Sequence, residues 1–359
     1  MQIPTVSLTR DSVVSAAIDR AGLRDFGEHD FEAPMGQLLD SMEFEANLNP
    51  LGRMLQYERV ADVLVNRLRL QDYLKRHPEI KDEELGSPLV IVGLPRTGTT
   101  MLHRTISAAP NLFAPLWYET RYPAPHPDWD FKTIDPRIEV GRQEIDQMIE
   151  ASPDLLAVHP LQADAADEEI MLLEQSFYSF VPQSMMNVPS YDDWLVKQDH
   201  RIGYRDLKLQ LQFLQWQKKR NGQEGTSWAL KAPHHLHYMQ ELCDVFPGAK
   251  VVLTHRDPLE TIPSFASMIN NLWSVYSDEV DQHVLGELWA TKFAASLRLT
   301  QQARQNIGED QFLDVWFKDT VSQPLQEAEK IFAFAGLNFT EQVAAEMRRW
   351  QDSNKRELR

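Results

Sequence analysis

The chemistry most plainly legible in this chain lies in Gly93-Leu94-Pro95-Arg96-Thr97-Gly98-Thr99-Thr100, where an arginine and three threonines sit around two glycines. The preceding Leu89-Val90-Ile91-Val92 is the unbroken apolar run of a buried parallel strand. A strand that turns through glycine into a helix presents free backbone N–H groups and a positive dipole end, which together hold an anion. Gly98 lets the backbone pass close to a ligand, and the N–H groups and hydroxyls of Thr97, Thr99 and Thr100 are expected to point at the helix start. Gly93 and Gly98 have the spacing of a nucleoside-triphosphate loop, but Thr99 stands where that loop needs lysine, and Arg96 brings the cation earlier. That pattern favours a smaller anion over a triphosphate with Mg²⁺. Taken alone, the segment also reads as a tight turn with no ligand.

Other residues could act with this cradle. Arg256 follows the apolar run Lys250-Val251-Val252-Leu253-Thr254, and Ser264 lies eight residues further on, so a guanidinium and a hydroxyl can meet on one phosphate. The plainer reading is a surface pair of Arg256 with Asp257. Glu119, in Trp117-Tyr118-Glu119-Thr120-Arg121, could take a proton from a hydroxyl nucleophile or could simply pair with Arg121. Lys231 ends the run Trp228-Ala229-Leu230, so its ammonium reaches the strand-end cleft or snorkels to the surface. His234, His235 and His237 lack a zinc-protease spacing, and no metal site is expected; one of them remains an alternative base to Glu119. His103 reads as packing or substrate-side, and His255 as support for its strand end. Asp164, Asp167, Glu168 and Glu169 read as an acidic helix start that complements the dipole, or as a selector for a cationic acceptor. Trp117, Trp129, Trp194 and Trp273 belong to a core or line an aromatic pocket.

The elements that must position these residues alternate. Short apolar strands are expected at Leu89–Val92, Ser227–Lys231, Ala249–Thr254 and Phe312–Phe317, separated by helical patterns, which argues for a parallel sheet covered on both faces. Binding then falls at the carboxyl ends of the strands. Before the sheet, residues 1–86 show helical patterns only: Asp11–Ala21, and a long helix opened by Asn49-Pro50 that stops before Pro78. They are read as a helical cap or lid, with Lys81–Pro88 as linker and residues 87–359 as the catalytic domain. Pro110–Pro136 is too proline-rich for regular helix and suits a cleft wall. Helices are expected at Asp135–Ser152, Ala163–Phe180 and Tyr204–Gln223, with a loop over Pro182–Pro189.

Composition bounds the function. The chain has 359 residues, is 43% hydrophobic and carries a formal charge of −17, so it can bury a large core and repels polyanions. No apolar run is long enough to span a bilayer, and the first residues lack signal-peptide character. One cysteine, Cys243, excludes an intrachain disulfide and predicts a reducing, cytoplasmic setting.

Four segments in order carry a family resemblance: Pro95-Arg96-Thr97-Gly98-Thr99-Thr100; Trp117-Tyr118-Glu119-Thr120-Arg121; Lys250 to Pro258 with Ser264; and Val315-Trp316-Phe317-Lys318-Asp319-Thr320-Val321 with Pro324, Phe334 and Gly336-Leu337. They resemble the sulfotransferases that use 3′-phosphoadenosine 5′-phosphosulfate (PAPS), and most closely the tyrosylprotein sulfotransferases and their bacterial relatives. The resemblance covers roughly residues 89 to 340. It implies a P-loop-like, three-layer α/β fold, with PAPS as co-substrate, 3′,5′-adenosine bisphosphate (PAP) as product and no metal. By the same resemblance Arg96, Thr97, Gly98, Thr99 and Thr100 hold the 5′-phosphosulfate, Arg256 and Ser264 the 3′-phosphate, Lys231 assists transfer and Glu119 is the base. A homodimer is implied by resemblance alone. The single cysteine departs from the disulfide-bonded, membrane-anchored tyrosylprotein enzymes, so their protein substrate is not carried over. The expected activity is transfer from PAPS to a hydroxyl of a small molecule, lipid or carbohydrate, in a bacterial, cytoplasmic enzyme. The alternatives are a small-molecule kinase on a degenerate phosphate loop and a nucleotide-binding protein without activity. The basic tail Ser353–Arg359 leaves open whether the chain is truncated or naturally short.

Overall fold

A computed structural model describes residues 5–28, 30–151 and 160–354. Three helices come first: α1 (Arg10–Ala21), α2 (Glu32–Phe44) and α3 (Pro50–Arg76). Asn49 starts α3 by accepting from Gly52 N–H at 2.7 Å, ahead of Pro50 in the first helical position, as its sequence predicts. The same turn docks on the rest of the molecule, because Asn49 N–H donates to the Tyr276 carbonyl at 2.9 Å. One apolar cluster joins Leu8, Met35, Leu38, Leu64 and Leu68 of this region to Phe177, Met186, Tyr191 and Leu195. The N-terminal helices therefore share their core with a later part of the chain.

The sheet holds five parallel strands, β1 (Leu89–Gly93), β2 (Leu112–Phe113), β3 (Ser227–Lys231), β4 (Lys250–His255) and β5 (Phe312–Trp316), in the order β2-β3-β1-β4-β5. Side chains alternate across a strand, and here both faces are buried. Val90, Val92, Trp228, Leu230, Val251 and Leu253 join one apolar cluster, whereas Leu89, Ile91, Ala229, Val252 and Val315 join another. The continuous apolar runs in the sequence follow from this double burial. After β1 the chain turns into α4 (Thr99–Ser107), then reaches β2 and the one-turn helix α5 (Trp117–Arg121).

Several expected elements differ. Leu112–Phe113 is a short edge strand and Trp117–Arg121 is helical, both inside the proline-rich stretch read as irregular; their prolines, Pro110, Pro115 and Pro123, fall outside them. Ala163–Phe180 is not one helix. Only Ile170–Leu173 is α-helical, and a 3-10 turn (Glu174–Ser176) ends at Phe177 with a left-handed φ of 61°. Val181–Met185 is a short helix where a loop was expected. The helix expected over Asp135–Ser152 spans Arg137–Ala151, and position 152 lies outside the described residues, as do residues 355–359 of the tail.

β1 and β4 approach closely at their ends. A Cβ on Gly93 would lie 2.0 Å from Thr254 Oγ1 and 2.9 Å from Thr97 Oγ1, where no atom fits. Gly93→Ala is expected to destabilise the fold by about 2 kcal/mol through overpacking. Gly36→Ala, in a helix with open space around the added carbon, is expected to stabilise it by up to about 1 kcal/mol. Denaturant unfolding of both variants checks the pair.

Candidate active site

The cradle is built at the carboxyl end of β1, the strand flanked by β3 and β4. From Gly93 the chain turns through Arg96 (φ 69°) and Gly98 (φ 80°) before α4 begins at Thr99. A left-handed arginine is uncommon and persists only where its surroundings fix it. Two contacts do so: Arg256 Nη1 donates to the Arg96 carbonyl at 3.0 Å, and Thr97 Oγ1 donates to the Leu94 carbonyl at 2.6 Å. Thr97 Oγ1 also lies 2.7 Å from Thr254 Oγ1 on β4. The Thr97 hydroxyl is thus spent on the loop itself, contrary to the expectation that it points at a ligand; what Thr97 offers an anion is its backbone N–H. Gly98 is required twice, by its φ and by Phe317, whose ring would lie 2.8 Å from an added Cβ.

The cations arrive from three strand ends. Arg96 is exposed on the loop, and its Nε donates to Ser264 Oγ at 3.3 Å. Arg256 follows β4, lies 4.3 Å over the Phe317 ring and pairs with Glu260 at 2.9 Å. The Arg256–Asp257 pair suggested by the sequence does not form, because Asp257 caps the next helix by accepting from Leu259 N–H at 2.8 Å. Lys231 closes β3 with a buried stem, and its Nζ donates to Thr100 Oγ1 at 3.2 Å and to Glu168. Arg96, Thr97, Gly98, Thr99, Thr100, Lys231, Arg256 and Ser264 are thereby brought to one edge of the sheet.

The partners of Glu119 are none of these residues. Its carboxylate accepts from Leu116 N–H at 2.9 Å, Tyr118 OH at 3.3 Å and Lys218 Nζ at 2.7 Å. The Glu119 and Lys218 side chains are only 4% and 3% exposed. Three donors and burial leave an incoming hydroxyl little access to this carboxylate as it stands. Arg121 is likewise engaged elsewhere, with Glu144 at 2.6 Å.

Residues beyond the expected set complete the site. Glu169 accepts from Lys231 N–H at 2.8 Å and pairs with His235, whose Nδ1 lies 2.8 Å from Tyr204 OH. Burial alone would raise the Glu169 pKa, but the hydrogen bond and charge of His235 hold it below the usual carboxylate range. The acidic run was visible in the sequence; its contact with Lys231 needs the fold. Thr254 and Phe317 lay in segments already singled out, without a role attached. The other histidines singled out in the sequence are buried or paired. His103 Nε2 lies 3.0 Å from the Ala229 carbonyl, and burial, aided by the Lys231 charge, pushes its pKa down to about 4. Burial does the same for His237, also to about 4, and drives His234 well below the usual range. His255 pairs with Asp314 at 2.7 Å, supporting the end of β4. Among the described residues no group of three or more His, Cys, Asp or Glu is arranged to hold a metal ion.

Together these features define a P-loop-like α/β protein with arginine, lysine and a helix N-terminus gathered at the ends of its strands. Residues 88–341 match the Sulfotransferase family, and the chain belongs to it. The crystal structure of sulfotransferase STF9 from Mycobacterium avium aligns with a TM-score of 0.87 over 99% of this chain and 90% of that one, at 25% identity. Sulfotransferase STF1 from Mycobacterium tuberculosis aligns with a TM-score of 0.85 over 95% and 92%, at 29% identity. The chain is also 23% identical over 261 residues to the omega-hydroxy-beta-dihydromenaquinone-9 sulfotransferase Stf3 of Mycobacterium bovis. That match takes in 70% of this chain and 63% of the relative's length. No described helix is long and apolar enough to cross a membrane.

Two outcomes are expected. Glu119→Ala leaves Lys218 charged and buried without its partner, which destabilises the fold by about 3 kcal/mol or more while sparing ligand binding at the cradle; chemical denaturation alongside a binding titration checks both. The histidines set the second. An unfolded histidine binds a proton near 6.5, whereas His103 and His237 stay neutral in the fold down to about 4. The unfolded state binds more protons in that window, so stability is expected to fall steadily as pH is lowered from 6.5 to 4, read as a falling denaturation midpoint.

Proposed function

We propose that the enzyme transfers the sulfuryl group of PAPS to a hydroxyl of a small-molecule, lipid or carbohydrate acceptor. The observation that carries this reading is the contiguity of two anion sites. The α4 N-terminus with Arg96 lies on one side, Arg256 with Ser264 on the other, and they are joined by the Arg96–Ser264 and Arg256–Arg96 hydrogen bonds. A nucleotide bearing a 5′-phosphosulfate and a separate 3′-phosphate presents two anions, and this pair of sites suits it. Gly98 carries no side chain because the Phe317 ring packs against it, and the same ring lies under the Arg256 guanidinium, which ties the loop to the second site.

PAPS, when bound, supplies a sulfuryl group activated by its phosphate leaving group. The N–H groups of Thr97, Gly98, Thr99 and Thr100 hold the 5′ end, and Arg256 with Ser264 holds the 3′-phosphate. Arg96 and Lys231 neutralise the charge that builds on the departing oxygen. Because these donors are fixed before the reaction, they act mainly by position and charge. A relative named for an omega-hydroxylated menaquinone supports a hydroxyl acceptor, with lipids among the candidates. The N-terminal helices would cover the acceptor side.

A kinase reading is disfavoured by Thr99 in the lysine position. It is disfavoured too by strand ends that carry Lys231, His255 and Trp316 rather than a magnesium-binding aspartate.

Calorimetric titration with PAP and with ATP, each with and without Mg²⁺, tests the reading. PAP is expected to bind without metal, and Arg256→Ala to weaken it at least about tenfold through loss of charged hydrogen bonds. Binding of ATP alone, and only with Mg²⁺, would replace the reading with a kinase. For the chemical step, Arg96→Ala and Lys231→Ala are each expected to lower turnover about a hundredfold. Full activity in either variant removes that residue from its role.

A further inference from the structure

Two consecutive glutamates meet the end of β3 and are treated differently by the fold. Glu169 is fully buried, with one oxygen on the Lys231 N–H and the other on His235, which is backed by Tyr204. Both oxygens are occupied, so Glu169 fixes the strand end and takes no part in proton transfer. Glu168 is 22% exposed, and its backbone N–H donates to Asp167 Oδ1 at 2.7 Å, which orients the residue. Its carboxylate contacts Lys231 Nζ, and the same ammonium reaches Thr100 Oγ1 on the first turn of α4. Glu168 is therefore one lysine away from the cradle, open to solvent on one side. Glu260, by contrast, lies on Arg256, and Asp257 and Asp314 are held by Leu259 N–H and by His255.

We infer that Glu168 is the general base of sulfuryl transfer and that Lys231 holds it until a sulfuryl group enters; this rests on the PAPS reading above. Lys231 Nζ touches both the Glu168 carboxylate and the Thr100 hydroxyl of the cradle. With the cradle empty it neutralises Glu168. A sulfuryl group placed beside Thr100 competes for the same ammonium, and the carboxylate released is then adjacent to the sulfur. The acceptor hydroxyl oxygen forms its bond to sulfur as the bond from sulfur to the phosphate oxygen breaks, with that electron pair leaving on PAP. The hydroxyl proton passes to a Glu168 oxygen and from its exposed side to water. A carboxylate within hydrogen-bond reach suffices for this step, and a base so placed contributes on the order of a hundredfold or more. Glu119, sealed by three donors, has no such access.

The test is calorimetry with PAP and with PAPS on the wild type, Glu168→Gln, Glu119→Gln, Lys231→Ala and the Glu168→Gln/Lys231→Ala double variant, together with the rate at which each breaks PAPS down to PAP and sulfate. Glu168→Gln is expected to keep PAP affinity and to bind PAPS up to about fivefold tighter, the worth of a partly exposed ion pair that no longer competes. The tightening is expected to vanish in the Lys231→Ala background. PAPS breakdown in Glu168→Gln is expected to slow about a hundredfold, with Glu119→Gln near wild type. PAPS affinity unchanged or weakened by Glu168→Gln, or the rate loss appearing in Glu119→Gln instead, overturns the inference. Failure of the wild type to bind either PAP or PAPS would instead overturn the co-substrate reading beneath it.

Discussion

A single hydroxyl-to-hydroxyl hydrogen bond, 2.7 Å between Thr97 and Thr254, is the contact on which the site depends. It ties the turn after β1 to the end of β4, and it exists only because Gly93 carries no side chain between them. With the two strand ends so close, Arg256 can reach back to the Arg96 carbonyl and hold a left-handed arginine in place. The two proposed anion sites thereby become neighbours, although they lie some 160 residues apart in the chain. A hydroxyl lost from either threonine would loosen the cradle without touching any group that meets the ligand.

The charge pattern follows from the same crowding. A chain of net charge −17 gathers Arg96, Lys231 and Arg256 at one sheet edge, and each is given something to bind. Glu168 and Glu260 are the carboxylate partners. Arg256 and Glu260 are solvent-accessible and screened, whereas Lys231 is buried and only its partner Glu168 opens to solvent; in both pairs the carboxylate is the member a ligand anion can replace. The buried pairs behave differently. Glu119 with Lys218 and Glu169 with His235 have no water to replace a lost partner, and they are structural for that reason.

Much of this was legible in the sequence because local physics dictates it. Leu89–Gly93 is buried on both faces and reads as a continuous apolar run; Asn49-Pro50 starts a helix by its own capping chemistry; glycine at position 98 marks a turn into a helix. Resemblance added the order of the anion-binding segments. What was not legible depends on which side chains tertiary packing brings together. Nothing local says that Glu119 meets Lys218 rather than Arg121, or that Arg256 pairs with Glu260 rather than Asp257. The run Asp167-Glu168-Glu169 does precede a helix, Ile170–Leu173, but that its second and third members also lie on Lys231 and its strand could not be read locally. Leu112–Phe113 escaped notice because a two-residue edge strand carries too few residues for a period to show.

The central claim is that one sheet edge holds both ends of an adenosine bisphosphate. A crystal structure of the protein with PAP tests it most directly. The account predicts the 5′-phosphate on the N–H groups of residues 97 to 100 and the 3′-phosphate between Arg256 and Ser264, with the Thr97–Thr254 bond intact. PAP bound elsewhere, or with its 3′-phosphate away from Arg256, would contradict it.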